Sequence, residues 1–324
     1  MKLDRFVVGT GRCGSTLLTR MLSCHDELLG LNEVFTGLDW GRRFTTTPVS
    51  GVEVAEILGE PNSVVQMVTA RGHEAEEVTY PFGPGSRYGR GDPVPWILTS
   101  TLGHLSDDPD EHWDRLAAWL SEQQAAPIAE HYRALFDHLA VEAGKSLWVE
   151  RSGSSIEYSG GLLDCFSAGE ARVIHIHRDG AEVALSMRNH AFYRLAVQLY
   201  YGIVPRGVDP EDEAAVVDGW LDGDPPVELY GRYWSEQICR GVPALAAAPD
   251  TVVMTVAFED LVADPAAALE AMAEFLELPA DSAFAGRGAA LVNGIPATRA
   301  SSLPEDDRKR LEQACAPGRA TLSG

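Results

Sequence analysis

Apolar residues along this chain follow two rhythms. Short unbroken runs rich in Val, Ile and aromatic residues mark buried strands, while apolar residues three and four apart mark helices packed on one face. "RFVVGT" (5–10) is the first strand-like run; after a glycine turn, Leu17, Leu18, Met21 and Leu22 recur at helical spacing across 15–23. The unit is strand, glycine turn, helix. Further strand-like runs are "SLWVER" (146–151), "ARVIHIHR" (171–178) and "TVVMTVAFEDL" (251–261). The third leads into a long helical pattern, "GAEVALSMRNHAFYRLAVQLYYG" (180–202), and the fourth into "DPAAALEAMAEFLEL" (264–278). Strands alternating with helices in this way predict an α/β protein, a three-layer P-loop-like fold with a central, mostly parallel sheet flanked by helices. Ligands of such sheets bind at the carboxyl ends of the strands, which is where Gly9 to Thr16, Arg151 and Arg178 fall.

The rhythm loosens between Thr36 and Gly144 into Gly, Pro and aromatic stretches such as "YPFGPGSRYGRGDPVPW" (80–96), with one acidic helical piece, "DDPDEHWDRLAAWLSEQQ" (107–124). A stretch this long with weak strand signal predicts a largely helical and irregular insertion or lid at 36–144, carried by a single domain spanning 1–324. Its aromatics, Phe44, Tyr80, Phe82, Tyr88 and Trp96 with Trp40 and the adjacent Phe35, suit either an apolar acceptor pocket or a packed subdomain. "RGVDPEDEAAVVDGWLDGDPP" (206–226) reads as an acidic surface excursion.

Composition narrows the ligand. At 45% hydrophobic and 23% charged residues the chain is ordinary globular material, without the roughly 18 uninterrupted apolar residues of a membrane span. Its first residues run straight into strand-like sequence, which leaves no room for a secretory signal and implies a cytoplasmic protein. Five scattered cysteines with no CxxC pair read as reduced thiols, and neither a disulfide framework nor a zinc site is suggested. A formal charge of −22 repels nucleic acid and anionic membranes, so an anionic ligand must be captured by local arginines and backbone dipoles. Only three lysines, Lys2, Lys145 and Lys309, stand against twenty-three arginines, and none lies near the glycine loop.

That absence decides how the loop "GTGRCGST" (9–16) is read. Gly9-x4-Gly14-x-Thr16 copies the triphosphatase P-loop, but Ser15 fills the position of the lysine that reaches the β and γ phosphates. A phosphotransferase using ATP and magnesium therefore stays open only as a weaker reading. Gly9, Gly11 and Gly14 also satisfy the dinucleotide fingerprint, with Glu33 as the acid about twenty residues on. A third reading puts a cation, Arg12, inside the loop and hydroxyls, Ser15 and Thr16, on the helix N-terminus, where backbone N–H groups cradle a 5′-phosphate.

The stretch "GTGRCGSTLLTRMLSCHDELLGLNE" (9–33) resembles the 5′-phosphosulfate loop of sulfotransferases that use 3′-phosphoadenosine 5′-phosphosulfate (PAPS), above all the Golgi and bacterial branch, whose loop runs R-S-G-[ST]-[ST]-L and continues to H-P and a glutamate. Cys13 stands in the usual serine place and Asp26 in the usual proline place. "VIHIHRDGAEVALS" (173–186) is similar to the second half of that signature: Arg178 and Ser186 have the spacing of the 3′-phosphate ligands in R-[DN]-P-x5-S, with Gly180 in the proline position. An arginine at a strand end grips phosphate bidentately, and a serine in the second helical turn points back toward the same anion. "FEDLVADPAAALEAMAEFLEL" (258–278) resembles the family's C-terminal strand and helix, and "VNGIPATRASSLP" (292–304) the region where a hydroxyl and a basic residue, here Thr298 and Arg299, return to the nucleotide.

The resemblance implies sulfuryl transfer from PAPS to the hydroxyl of a small metabolite, glycolipid or biosynthetic intermediate, with 3′,5′-adenosine bisphosphate (PAP) as product and no metal required. It implies a nucleotide site of Gly11, Arg12, Cys13, Gly14, Ser15, Thr16, Leu17, Arg178, Ser186, Thr298 and Arg299, and a catalytic set of Glu33, Arg12 and Arg151. Glu33 sits where relatives carry a catalytic glutamate. Arg151, in "WVERSG" (148–153), falls where they carry a lysine; as a permanently charged fork it serves as a clamp and not as an acid, or else pairs with Glu150 or another acidic neighbour. His25, His73, His104, His131 and His190 remain rival bases, although His25 suits the end of the first helix, and His175 and His177 suit the core. A nucleotide-binding protein without catalysis is the remaining alternative.

Overall fold

The computed structural model describes residues 3–73, 77–167, 170–294 and 298–324. Its centre is a five-stranded sheet of β1 (Leu3–Val8), β2 (Leu28–Asn32), β3 (Leu147–Arg151), β4 (Glu170–His177) and β5 (Val253–Ala257), in the order β2-β3-β1-β4-β5. Every pairing is parallel. The helices are α1 (Ser15–Leu22), then α2 (Gly51–Gly59), α3 (Ser63–Ala70), α4 (Trp96–Ser100), α5 (Pro109–Ser121) and α6 (Ile128–Glu142) between β2 and β3. They continue with α7 (Ser159–Phe166), α8 (Gly180–Arg188), α9 (Ala191–Tyr200), α10 (Glu213–Asp222), α11 (Val227–Ala246), α12 (Phe258–Ala263), α13 (Pro265–Phe275), α14 (Phe284–Ala289) and α15 (Glu305–Ser323).

Buried on both faces, β1 shows why its sequence is continuously apolar. Phe6 and Val8 point into one core, with Phe35, Tyr132, Phe136, Trp148 and Phe166; Val7 points into the other, with Leu18, Met21, Ile174, Ile176 and Leu269. Each such fully buried side chain contributes about 1.5–3 kcal/mol. Strands β3 and β4 flank β1 on opposite sides, so the connections leaving β1 and β4 diverge and open a crevice above their carboxyl ends.

Four features differ from the sequence reading. Strand β2 was not expected: Gly30 sits mid-strand, where glycine normally signals a break, yet a Cβ there would meet Ser23 Oγ at 2.3 Å, so the close approach of α1 demands it. The run 251–261 is strand only over Val253–Ala257 and then turns into α12. The helical pattern 180–202 is two helices, broken where Asn189 closes α8 and His190 opens α9 in an extended conformation, a turn that leaves the apolar periodicity in step. The acidic excursion 206–226 contains α10, which buries Val216, Val217, Trp220 and Leu221 against Val68 and Leu195.

Among the described residues, 36–144 forms no strand of the sheet and is joined by two isolated bridges, Val49 with Ala126 and Pro61 with Pro95. Most of its aromatics are core. Tyr80 and Trp96 are buried, Phe44 packs edge-on to Phe35 at 5.3 Å, and Trp40 alone among those named is largely exposed, at 64%. All five cysteines are free thiols. His25 is buried, with Nε2 3.0 Å from the Pro279 carbonyl and Nδ1 accepting from Glu27 N–H, and His175 is buried with its imidazole pushed down to about 3 by burial and the nearby His177. No helix of the described residues is long and apolar enough to cross a membrane.

Candidate active site

The glycine loop leaves β1 at Val8 and is pressed against its neighbours at every glycine. A Cβ on Gly9 would lie 2.5 Å from the Ile176 carbonyl, one on Gly11 1.6 Å from Tyr193 Oη, and one on Gly14 2.2 Å from the Phe258 ring. Gly14 also has φ +99° and Arg12 φ +64°, left-handed conformations that turn the chain into α1. Gly14 caps α1 without a side chain, so the first-turn N–H groups and the positive end of the helix dipole face the crevice.

Above the strand ends lies a cleft with about 930 Å³ of empty space, partly open to solvent. The loop lines it with Gly11, Arg12, Gly14, Ser15 and Thr16; the end of β2 adds Glu33 and Thr36, the end of β3 Arg151 and Gly153, and the β4 side Arg178, Ser186, His190, Phe192 and Tyr193. Val65, Glu77, Val78 and Trp96 close it from the 36–144 segment. Arg12 links the glycine loop to α8 and to the 36–144 segment: its Nε donates to Ser186 Oγ at 3.2 Å and its Nη1 to Glu77 Oε1 at 3.3 Å. The Arg178 guanidinium stacks 4.6 Å over Phe258, and burial, with the charge of Arg299, lowers its pKa.

Across the cleft, Glu33 is buried in a left-handed conformation, φ +59°, and every oxygen of its carboxylate is held. Arg151 Nη1 pairs with Oε1; Thr36 Oγ1 donates to Oε2 at 2.7 Å and Gly153 N–H at 2.9 Å. Arg151, buried to 3% exposure, also donates from Nη2 to Asn32 Oδ1 at 2.7 Å. The acidic neighbour of Arg151 is thus Glu33, not Glu150. Glu150 lies behind, accepting from Ser152 Oγ at 2.6 Å, and burial, reinforced by Glu33, pushes its carboxyl up to about 8. Trp96 Nε1 donates to the Glu33 carbonyl at 2.7 Å and fixes the backbone that carries the carboxylate.

Of the residues expected at the site, Gly11, Arg12, Gly14, Ser15, Thr16, Glu33, Arg151, Arg178 and Ser186 share this one cleft. Cys13 is turned away, its thiol fully buried and its pKa raised by burial, and Leu17 packs beside the same core. Thr298 is exposed and Arg299 pairs with Glu182 at 3.4 Å, outside the lining but near enough to Arg178 to act on it electrostatically; residues 295–297 of that segment lie outside those described. Of the histidines proposed as rival bases, His190 lines the cleft, while His131 is buried with Nε2 2.8 Å from the Val49 carbonyl. Sequence reasoning missed Thr36, Val65, Glu77, Val78, Gly153, Phe192 and Tyr193. Only Tyr193 had a usable signal, its place seven residues beyond Ser186 in a run whose sequence reads as one helix, although the two residues lie on separate helices, α8 and α9. Among the described residues, no group of three or more His, Cys, Asp or Glu side chains is placed to hold a metal ion.

Fold and cleft define an α/β protein whose arginine-lined cleft opens at the carboxyl ends of parallel strands. Residues 101–282, more than half of the chain, match the profile of the Sulfotransferase family. The chain belongs to the sulfotransferase family, as its glycine loop and Arg178–Ser186 spacing imply, and is a sulfuryl-transferring enzyme. Its fold is similar to that of the sulfotransferase domain from the curacin biosynthetic pathway, at 14% identity and a TM-score of 0.50, covering 97% of this chain and 98% of that one. Weaker likenesses are the sulfotransferase domain of the Synechococcus PCC 7002 olefin synthase (18% identity, TM-score 0.44, 97% and 94% covered) and a sulfotransferase from Alicyclobacillus acidocaldarius (16%, 0.42, 100% and 95%). No curated protein matches the sequence.

Proposed function

We propose that this enzyme transfers a sulfuryl group from PAPS to the hydroxyl of a small metabolite, glycolipid or biosynthetic intermediate, leaving PAP, with Glu33 as the base. The observation that carries the reading is the convergence of Arg12, Arg178 and Ser186 at the N-terminus of α1, with a buried carboxylate facing them across one cleft. When bound, PAPS supplies the activated sulfuryl group.

The loop fits such a ligand because its glycines bring backbone N–H groups where any side chain would collide with Ile176, Tyr193 or Phe258. The N-terminal N–H groups of α1, with Ser15 and Thr16, hold the 5′-phosphate end, and Arg12 balances the negative charge that develops there. Arg178 and Ser186 grip the 3′-phosphate; Arg299 adds a second cation and Thr298 a hydroxyl from the C-terminal segment. These arginines supply the charge stabilisation, so the reading calls for no metal ion.

Glu33 takes the proton from the acceptor hydroxyl as attack proceeds. Arg151, Thr36 and Gly153 hold its carboxylate still, which makes Arg151 a positioning residue for the base as well as a positive charge beside the reacting centre. The chain acts as one domain, with 36–144 supplying the acceptor wall, and the acceptor is a small molecule, not a nucleic acid, which a charge of −22 repels.

The test is to incubate the protein with PAPS and a panel of alcohols and phenols, following PAP release and sulfated product by mass spectrometry. PAP formation that depends on an acceptor and persists in a metal chelator is expected. Consumption of ATP with magnesium, and no PAP from PAPS with any acceptor, would sink the reading.

A further inference from the structure

Tyr193 lines the cleft with its ring fixed in place, buried in the core between α8, α9 and α11 and edge-on to Phe192 at 5.4 Å and to His190 at 5.5 Å. Its hydroxyl lies against the glycine loop, where a Cβ on Gly11 would come within 1.6 Å of Oη. On its other side Oη is 3.2 Å from Ser154 Oγ, on the turn that leaves β3, and Gly153, one residue earlier on that turn, donates to Glu33 Oε2. Tyr193 therefore stands between the loop and the base, near enough to Arg12 and Glu33 for both charges to act on it.

That is the path along which a sulfuryl group moves from a phosphate at the loop to a hydroxyl at Glu33. The cations beside the path are committed elsewhere: Arg151 to Glu33 and Asn32, and Arg12, on our reading, to the 5′-phosphate. The tyrosine is not. Two hydroxyls that share one hydrogen bond spend one of their two protons on it, and neither Tyr193 Oη nor Ser154 Oγ has a further side-chain hydrogen bond among the described residues. Tyr193 is the member of the pair that lines the cleft, so with Ser154 donating to Oη the remaining proton is the tyrosine's, turned toward the ligand. Burial raises its pKa, with Glu77 and Glu33 adding to the effect, and keeps that proton on the oxygen at neutral pH.

We propose that Tyr193 is a further catalytic residue, whose hydroxyl donates a hydrogen bond to an oxygen of the sulfuryl group, in bound PAPS and throughout its transfer. The proposal rests on the reading that PAPS is the donor in this cleft. In the transfer the bond from sulfur to the acceptor oxygen forms as the bond from sulfur to the 5′-phosphate oxygen breaks; the proton of the acceptor goes to Glu33 and the electron pair of the broken bond stays on the phosphate beside Arg12. Tyr193 keeps its own proton and acts only as a donor aimed beforehand at oxygens over which negative charge is spread.

Calorimetry first measures PAP binding to the wild-type protein, then PAP and PAPS, without acceptor, on the wild type and on Tyr193→Phe, which keeps the ring and its packing. Tyr193→Phe should bind PAP within about twofold of the wild type and PAPS about three- to tenfold more weakly, as the loss of one neutral hydrogen bond implies. With an acceptor that the wild type sulfates, kcat should fall about 10²-fold, the loss on removing one donor to a developing oxyanion, with little change in the KM of the acceptor. A ratio of PAPS to PAP affinity unmoved in Tyr193→Phe, an unchanged kcat, or equal weakening of both nucleotides overturns the proposal and leaves the nucleotide site standing; equal weakening would make the hydroxyl a support for the glycine loop. Failure of the wild type to bind PAP, or to sulfate any acceptor, overturns the functional reading and this proposal with it.

Discussion

The two walls of the cleft are built on different principles. The wall we assign to the nucleotide offers mainly backbone: three glycines wedged against Ile176, Tyr193 and Phe258, a helix N-terminus, and arginines at strand or loop ends. The wall we assign to the acceptor offers side chains, Val65, Glu77, Val78 and Trp96, on a segment that also fills the core around Phe35, Tyr132 and Phe136. A loop that holds phosphate through its backbone N–H groups needs one particular geometry, so a wall of that kind leaves a motif. An acceptor wall can be any packed surface of suitable shape and charge, and leaves none.

The sharpest way to break this contrast is to add a methyl group to a glycine of the loop and to one in the 36–144 segment. Gly14→Ala has to accommodate φ +99° and a Phe258 carbon 2.2 Å from the new Cβ, so it is expected to destabilise by about 3 kcal/mol or more and to abolish PAP binding. Gly85→Ala, in the 36–144 segment at φ +96° with nothing within 4 Å, should cost only about 1–2 kcal/mol and leave PAP binding intact. Urea unfolding and calorimetry measure both; equal penalties would show that the loop glycines are not there for close approach.

Next in size is the Glu33–Arg151 pair. Glu33→Ala should lower turnover by about 10²–10⁴-fold with PAP affinity little changed. It should also destabilise by about 3–5 kcal/mol, because Arg151 is left as an unpaired buried charge. The double variant Glu33→Ala with Arg151→Met should regain most of that stability without regaining turnover. Recovery of activity in the double variant would mean that Glu33 matters for folding and not as the base.

Glu150 gives a pH signature behind the same pair. A carboxyl whose folded pKa is raised from its ordinary 4.5 to about 8 holds an extra proton in the folded state between those values, so its contribution to stability is present at low pH and is lost as pH rises toward 8. Replacement by Gln removes that loss, and the melting temperature of Glu150→Gln relative to wild type should climb steadily from pH 5 to pH 8. A flat difference would mean that Glu150 titrates as an ordinary carboxyl. The smallest effect is expected at Thr298, which is exposed and outside the cleft lining: Thr298→Ala should change stability by less than about 0.5 kcal/mol and PAP affinity only slightly.

What could be read from the sequence follows the same divide. The parallel α/β fold, the loop and the Arg178–Ser186 pair were legible because each is a local pattern, a strand end followed by a helix start at fixed spacing. Strand β2 was hidden by Gly30, whose reason lies in the packing of Thr19 in α1 and of Ser23 just after it against the strand, which the residues around Gly30 do not announce. The partner of Arg151 was equally hidden, since Glu33 is 118 positions away and reaches it only because β2 and β3 pair in register, Asn32 opposite Arg151. Glu77 and the apolar wall carry no local signal at all; their place depends on how α3 and α4 fold back over the strand ends.

The most direct measurement is calorimetric titration of the wild-type protein and Arg178→Ala with PAP and with 5′-AMP, in the presence of a metal chelator. Removal of a charge-assisted phosphate contact costs about 1.5–3 kcal/mol, or roughly 10- to 150-fold in affinity. The wild type should therefore bind PAP well above AMP, and Arg178→Ala should lose most of that preference while still binding AMP. Equal affinity of the wild type for PAP and AMP, or a preference untouched by Arg178→Ala, would mean that no 3′-phosphate site exists at the end of β4 and that the nucleotide side of the cleft serves another ligand.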